Sequence, residues 1–419
     1  MLRTLLVVGR NFRPITPFLT VFLVEEKGFS TQDIVNQVIP CWLYSMLVFS
    51  ILIPILVSKI GLLNTIFLSV CGEIVAGLSL SFSKRRSLFI TVFAEVIIAF
   101  RSSVIVADKR YYGENDSNRT VKYSTIRKVT GIVSSFISQN MYHISGSSLA
   151  AMYVTVSSQV LVLVTTLMLP TPPSESVAEP FSLKILSVGL ISKIFSYLGA
   201  FTLSSCFKIY VDLVLIDRTQ GIEETGGVLR SILDRISFLF YAASLLVIEA
   251  LGKVSSKIQV QKTVNRNKAL HGYMEGLTKI VGVGLAVPLV KYTSKSYVHT
   301  EILCVVSWYM QIVGMAGLKK SSSVSAVYAS YLISFLGSSI TLYISYNSIN
   351  AICSNQVITV MSYIGGVSCG AHAIIDFISR KKKIRPESRF AVYAKLGKTL
   401  FLCSAFFSAL DYYHKWKMA

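Results

Sequence analysis

The sequence is poor in charged residues, which make up 15% of its 419 positions. Soluble domains carry about 25%. The deficit extends over the whole length, so it excludes a soluble domain with a single anchor and indicates a polytopic membrane protein. The apolar runs are long and continuous, whereas a membrane β-barrel would show alternating segments of roughly ten residues. The expected fold class is therefore an all-α bundle of transmembrane helices.

Motifs of soluble enzymes are missing as well. No P-loop, HExxH, GxSxG or Cys/His zinc spacing occurs. The seven cysteines lie inside apolar runs without CxxC spacing, which favours small buried side chains over disulfides or metal ligands. No cleavable signal peptide is recognised, so the first span is expected to act as the insertion signal. These absences argue against an enzyme, an ATP-driven pump, and a metal or other cofactor.

Thirteen apolar runs are long enough, or nearly so, to cross a bilayer, which needs about 20 residues. They lie near 5–25, 34–58, 62–83, 87–108, 127–146, 149–169, 183–216, 228–251, 269–292, 301–318, 324–352, 355–378 and 390–411. A proline-rich polar break follows the sixth run and resembles a linker. The sequence thus predicts an N-terminal lobe over 1–170, a linker over 171–182 and a C-terminal helical lobe over 183–419. Two six-helix lobes are typical of secondary transporters, so one run in the second half is surplus.

The basic residues, which give a net charge of +20, form short clusters between the runs. The positive-inside rule explains such clusters better than nucleic-acid binding does. It predicts that the 108–128 loop faces the cytosol and that the acidic turn at 25–33 faces outward, with the basic triplet at 84–86 as an exception. For the clusters at 253–268 and 380–389 two layouts stay open. If 183–216 spans, both clusters face the cytosol and 390–411 is the extra helix. If 183–216 does not cross, both clusters face outward. Charge counting favours the first layout.

Two prolines, Pro14 and Pro17, interrupt the first apolar run. Proline breaks a helix and leaves backbone carbonyls without their usual donors. In a bilayer those carbonyls must be satisfied by neighbouring helices or by a water-filled cavity. The first helix is therefore expected to be broken and to line a cavity together with the aromatic-rich run that follows it.

The segment Phe12-Arg-Pro-Ile-Thr-Pro-Phe-Leu19 resembles the first-helix motif of the reduced folate and thiamine carriers, solute carrier family 19. Pro40-Cys-Trp-Leu-Tyr-Ser-Met-Leu-Val48 is similar to the family's second-helix motif, and weaker similarities occur at 169–172, 271–275, 327–331 and 371–375. The resemblance implies a major-facilitator fold of about 12 transmembrane helices. It also implies a vitamin-like solute, folate- or thiamine-type, bound near the middle of the membrane.

Two departures from the family bear on the solute. The family's first-helix glutamate is Thr16 here, and its fourth-helix glutamate aligns with Ile105. Charge inside a membrane is costly without a partner, so a site lacking these acids argues against cationic thiamine. The sequence therefore favours an anionic or neutral solute.

Candidate substrate-binding residues come from the resemblance and from polar groups inside apolar runs. They are Thr16, Trp42, Tyr44, Arg101, Tyr111, Arg127, His271, Tyr328 and His372. Trp42 and Tyr44 are two residues apart on a helix and diverge by about 200°. Arg101 has a structural alternative, an ion pair with Glu73 or Glu95.

His372 falls where the folate carriers place a lysine. A protonated imidazole there would meet an anion, and uptake would rise as pH falls. The alternative is a histidine packed between helices. For the acids Glu249, Glu275 and Asp376, pairing with neighbouring cations is preferred over proton coupling.

These features predict a secondary, multi-pass transporter of a small vitamin-like solute, in the plasma membrane, with a proton or an anion as candidate coupling ion. Its partners would be that solute and the lipid bilayer. The alternative is a family member that has lost transport and acts as a membrane scaffold or receptor.

Overall fold

A computed structural model describes residues 2–111, 117–170, 187–219, 244, 271–286, 288–289, 297–320, 324–353, 356–382 and 386–418. Within these ranges the chain is helical and no strand occurs. We number the long helices in chain order as α1 (Leu2–Asn11), α2 (Ile39–Ile60), α3 (Leu62–Phe82), α4 (Leu88–Tyr111), α5 (Ser117–Ser145), α6 (Leu149–Leu167), α7 (Val188–Thr219), α8 (His271–Val281), α9 (Tyr297–Lys320), α10 (Val324–Cys353), α11 (Val357–Lys381) and α12 (Pro386–Met418).

Within the described residues, seven helical stretches are long and apolar enough to cross a membrane. They are Thr31–Ile60, Leu62–Phe82, Leu88–Ile105, Leu149–Leu167, Val298–Leu318, Ala326–Cys353 and Val357–Lys381. The prediction of an all-helical polytopic membrane protein is confirmed. The predicted run at 183–216 contains the shorter apolar helix Val188–Ser204. The run at 228–251 lies outside the described residues except for Ser244.

The first run is broken, as its prolines predict. After α1 the chain forms a 3₁₀ turn, Thr16–Phe18, then the short helix Leu19–Val21 and a π-helical turn, Phe22–Glu26. A second π-helical turn, Ile34–Val38, precedes α2, whose first turn contains Pro40. Proline tolerates an N-terminal helical position because its missing donor is not needed there.

Helices α1 to α6 pack mainly among themselves, and we call them the N-terminal group. Within it α3 packs on α4 and α6, while α1 packs on α5 and α6. In the C-terminal group, α7 to α12, helix α7 packs on α10, α11 and α12, and α9 packs on α10 and α12. The most extensive contacts between the groups join α2 to α11 and α5 to α8.

One end of the bundle, here called the acid-turn end, carries the loop with Glu25 and Glu26. The Tyr142 hydroxyl of α5 donates to the Glu25 carboxylate at 2.9 and 3.0 Å, and the Ser147 hydroxyl donates to Glu26 at 2.5 Å. The loop that follows α5 therefore lies beside this turn.

The basic triplet at 84–86, an exception to the positive-inside rule, is anchored on the acidic turn. Arg85 Nη2 donates to the Glu25 carbonyl at 2.9 Å, and Arg86 Nε donates to the Gly28 carbonyl at 3.0 Å. Lys27 Nζ donates in return to the Ser83 carbonyl at 2.9 Å. Two of the three charges of this triplet, those of Arg85 and Arg86, are thus used for loop packing.

Arg380 also lies at the acid-turn end, because its guanidinium contacts Asn36 and Tyr44 near the start of α2. The start of the basic cluster at 380–389 is therefore on the side opposite the start of α5, where the 108–128 loop ends. Charge counting alone would have put both on one side. The cluster at 253–268 lies outside the described residues.

Candidate functional site

The candidate site begins at the break after α1, where neighbouring side chains donate hydrogen bonds to the carbonyls that the break leaves without helical partners. Pro14 has no N–H for the Arg10 carbonyl, and Arg101 Nη2 donates to that oxygen at 3.0 Å. Ser158 Oγ donates to the Phe12 carbonyl at 2.8 Å. This confirms the prediction that other helices satisfy the broken segment.

The α6 helix completes the support of the break. Gln159 Nε2 donates to the Gly9 carbonyl at 3.2 Å, and Thr155 Oγ1 accepts from the Ile15 backbone N–H at 3.0 Å. The first helix is thus held in its broken form by α4 on one side and by α6 on the other.

Three arginines converge on Glu73 at the middle of α3. Arg13 Nε lies 2.6 Å from Glu73 Oε1, while Arg10 Nη1 and Arg101 Nε each lie 3.4 Å from Oε2. The carboxylate is 4% exposed and the Arg10 side chain 1%. A second acid, Glu95 of α4, is also buried. Even with both acids ionised, guanidinium groups exceed carboxylates in this part of the core.

A cavity of about 80 Å³ adjoins the cluster. Its walls come from the broken segment, α3, α4 and α6, through Arg13, Ile15, Thr16, Leu19, Glu73, Ala76, Gly77, Leu80, Ile98, Met152, Thr155, Val156 and Gln159. Such a volume holds roughly two or three waters, or one polar end group of a larger solute. The buried Gln159 Oε1 has no hydrogen-bond donor among the described residues.

The structure therefore brings two predicted site residues, Thr16 and Arg101, to one place. Thr16 is exposed on the 3₁₀ turn and lines the cavity. Arg101 is 8% exposed and pairs with Glu73, which is the structural alternative considered for it. A contact with solute would add to that ion pair.

Trp42 and Tyr44 diverge, as their spacing predicts. Trp42 is partly buried and packs beside Met46, Ala99 and Cys369. Tyr44 is 39% exposed, and its hydroxyl accepts a hydrogen bond from Arg380 Nη2 at 2.7 Å. Neither residue lines the cavity at Thr16.

The remaining predicted residues lie apart from this cavity. Arg127 is partly buried on α5, and Tyr328 is a core residue of α10 at 7% exposure. Tyr111 is the last residue of α4 and His271 is the first residue of α8. The side chains of both lie outside the described part of the structure.

His372 is 1% exposed on α11. Its ring lies 5.2 Å from the Tyr393 ring of α12, and the backbone of Thr202 on α7 is within hydrogen-bonding reach of the imidazole. His372 therefore packs between helices of the C-terminal group, and its contact with solute stays a prediction.

The intramembrane acids are paired, as expected. Glu275 accepts from Lys279 at 2.6 Å. Asp376 pairs with Arg380 at 3.0 Å and Arg389 at 2.8 Å, rather than with His372 one turn before it. Lys193 pairs with Glu301, which the sequence had not singled out. Glu249 lies outside the described residues.

Sequence reasoning did not identify Arg10 and Arg13 as partners of Glu73, or Gln159 as a donor to the broken segment. A signal was available, because Arg10 and Arg13 are two cations inside one apolar run, and charges inside a membrane need partners. Their convergence on one acid about 60 residues later could not be predicted without the packing of α1 on its neighbours.

Residues 1–181 match the model of one protein family, described as reduced folate carrier. The match covers the broken first segment, the Glu73 cluster and Trp42, and it confirms the resemblance predicted from the first two motifs. The weaker similarities at 271–275, 327–331 and 371–375 lie beyond the match. No curated protein matches the chain.

Proposed function

We propose that this chain, whose residues 1–181 match the reduced folate carrier family model, is a secondary transporter of a small, folate-type anionic solute. The N-terminal and C-terminal groups of helices form the two lobes of a major-facilitator-type bundle, with 171–182 as linker. They rock against each other so that the solute site opens to one side of the plasma membrane at a time. A proton or an exchanged anion drives uptake.

The observation that carries the proposal is the excess of arginine around Glu73. Charged groups inside a membrane protein are costly and are kept near pathways or partners. Arg10, Arg13 and Arg101 outnumber the nearby acids, and the cavity beside them lacks a carboxylate at position 16. An anion entering there would gain charge neutralisation, whereas a cation such as thiamine would be repelled.

The size of the cavity limits what it binds. At about 80 Å³ it accommodates a carboxylate end group and not a whole vitamin. The rest of the solute would extend towards the contact of the two lobes. The 3₁₀ turn at Thr16–Phe18 offers this route, because it contacts α5 and α8, the helices that meet across the lobes.

Uptake of labelled folate and thiamine into cells, normalised to surface protein, tests the proposal. We expect saturable folate uptake and little thiamine uptake. Thr16→Glu should lower folate uptake about tenfold, since it adds a carboxylate beside Arg13. Thr16→Gln is the matched control of the same size and should retain most activity.

Saturable thiamine uptake that other cations inhibit would contradict an anionic solute, as would equal effects of the two Thr16 variants. Absence of both uptake and counterflow would instead support the alternative of a transport-inactive scaffold or receptor. The match to a carrier family does not favour that alternative.

A further inference from the structure

Arg380 at the end of α11 bridges the two groups of helices. Its Nε lies 3.0 Å from Asp376 Oδ2 on its own helix. Its Nη1 donates to the Asn36 carbonyl at 3.0 Å and its Nη2 donates to the Tyr44 hydroxyl at 2.7 Å. One guanidinium therefore holds an acid of the C-terminal group and two oxygens of the N-terminal group.

The acceptor on the N-terminal side is created by a proline. In an α-helix the Asn36 carbonyl would receive the N–H of residue 40, but that residue is Pro40, which has none. The preceding π-helical turn, Ile34–Val38, also departs from α-helical bonding. The Asn36 oxygen is thereby left available to Arg380.

The orientation of the Arg380 guanidinium is fixed by an acid of its own helix, α11. Asp376 is fully buried, and it also accepts from Arg389 Nη1 at 2.8 Å. Two arginines share one carboxylate, so Arg380 keeps unmatched donors for the other group. The Asp376 contact lies within α11, whereas the Asn36 and Tyr44 contacts cross to the π-helical turn Ile34–Val38 and to α2. A movement between the groups therefore breaks only the contacts to Asn36 and Tyr44.

A second polar contact closes the same end of the bundle. Gln139 Oε1 accepts from the Gly272 backbone N–H at 2.8 Å, and Asn140 Oδ1 accepts from the Tyr273 hydroxyl at 3.0 Å. These α5 residues lie within one turn of Tyr142, which contacts the acidic turn. Both main contacts between the groups are therefore fastened near the acid-turn end.

We propose that Arg380 is a latch that holds the acid-turn end closed, and that its bonds to Asn36 and Tyr44 break when the molecule opens there. The proposal rests on the alternating-access function given above. It assigns Tyr44 to the latch rather than to direct solute binding.

Labelling of a cysteine at position 16 tests the latch without any solute. In a background whose seven cysteines are replaced by serine, Thr16→Cys is exposed to an impermeant thiol reagent added from the acid-turn side. Arg380→Gln should raise the labelling rate roughly fivefold, which is about 1 kcal/mol for partly exposed contacts of this kind. Tyr44→Phe, which removes a single acceptor, should raise it less.

Arg389→Gln is the matched control, because Arg389 bonds the same Asp376 from α12, within the C-terminal group. Its labelling rate should stay at the parent value. Labelling in Arg380→Gln at the parent rate, or an equal rise in Arg389→Gln, would overturn the latch. If Arg380→Gln fails to reach the membrane, Tyr44→Phe decides alone, and an unchanged rate rejects the proposal. The labelling assay uses no solute, so it tests the latch independently of transport. Failure of the proposed transport function would be seen instead in the uptake assay of the parent chain.

Discussion

At the scale of single residues, the same arrangement of a proline, a carbonyl and an arginine occurs twice among the described residues. Pro14 and Pro40 each withhold an N–H from the carbonyl four residues earlier, and a distant arginine donates in its place. The break at Pro14 could be predicted from the sequence because proline acts locally. The arginines could not, since Arg101 and Arg380 follow Arg10 and Asn36 by 91 and 344 residues.

His372 shows what spacing along a helix leaves open. The sequence places it one turn before Asp376 and suggests a protonated partner for an anion. In the structure Asp376 is held by two arginines, and His372 packs against Tyr393 away from the cavity. Spacing along a helix identified neighbours correctly but could not show which of them paired.

We predict that His372→Gln lowers the amount of protein at the surface while leaving the pH profile of uptake per surface molecule unchanged between pH ~7.5 and ~5.5. The reason is that a buried, packed side chain contributes to folding and not to solute binding. His414→Gln, at an exposed histidine of α12, serves as control and should affect neither quantity. A profile that flattens only in His372→Gln would return this residue to the solute site.

At the scale of elements, close helix packing depends on glycine at the α5–α8 contact. Gly272 and Gly276 are four residues apart on α8, a spacing that lets membrane helices approach closely. A Cβ at Gly272 would lie 2.7 Å from the Ser135 carbonyl oxygen, and one at Gly276 would lie 2.7 Å from the Phe136 ring. The sequence predicted helix α8 itself, whereas its partner required the three-dimensional arrangement.

Gly272→Ala should therefore destabilise the protein by about 1–3 kcal/mol, because the added methyl overpacks this contact. The measurement is the apparent melting temperature of purified protein in detergent, which should fall. Gly284→Ala is the control, since nothing lies within 4 Å of a Cβ there, and alanine is the better helix former. Equal melting temperatures for the two variants would show that α5 and α8 are not tightly packed.

At the scale of the whole molecule, the ends of the bundle differ in how they use their basic residues. At the acid-turn end Lys27, Arg85 and Arg86 are anchored on loop carbonyls beside Glu25 and Glu26. At the opposite end Lys122, Arg127 and Lys128 lie along the first turns of α5. Counting charges from the sequence could not separate these two uses, so it left open the side of the cluster that begins at Arg380.

We predict that the start of α5 faces the cytosol, because basic residues near span ends are retained on that side. A cysteine introduced at Ser117 should resist an impermeant thiol reagent added to intact cells, and should react once the cells are permeabilised. Lys84→Cys, exposed at the acid-turn end, should react from outside without permeabilisation and so shows that the reagent reaches the protein. Because both positions lie beside basic residues, a difference between them reports the side of the membrane rather than local charge. Labelling of Ser117→Cys in intact cells, or a glycan on Asn115 or Asn118, would reverse the orientation and place the Arg380 latch on the cytosolic side.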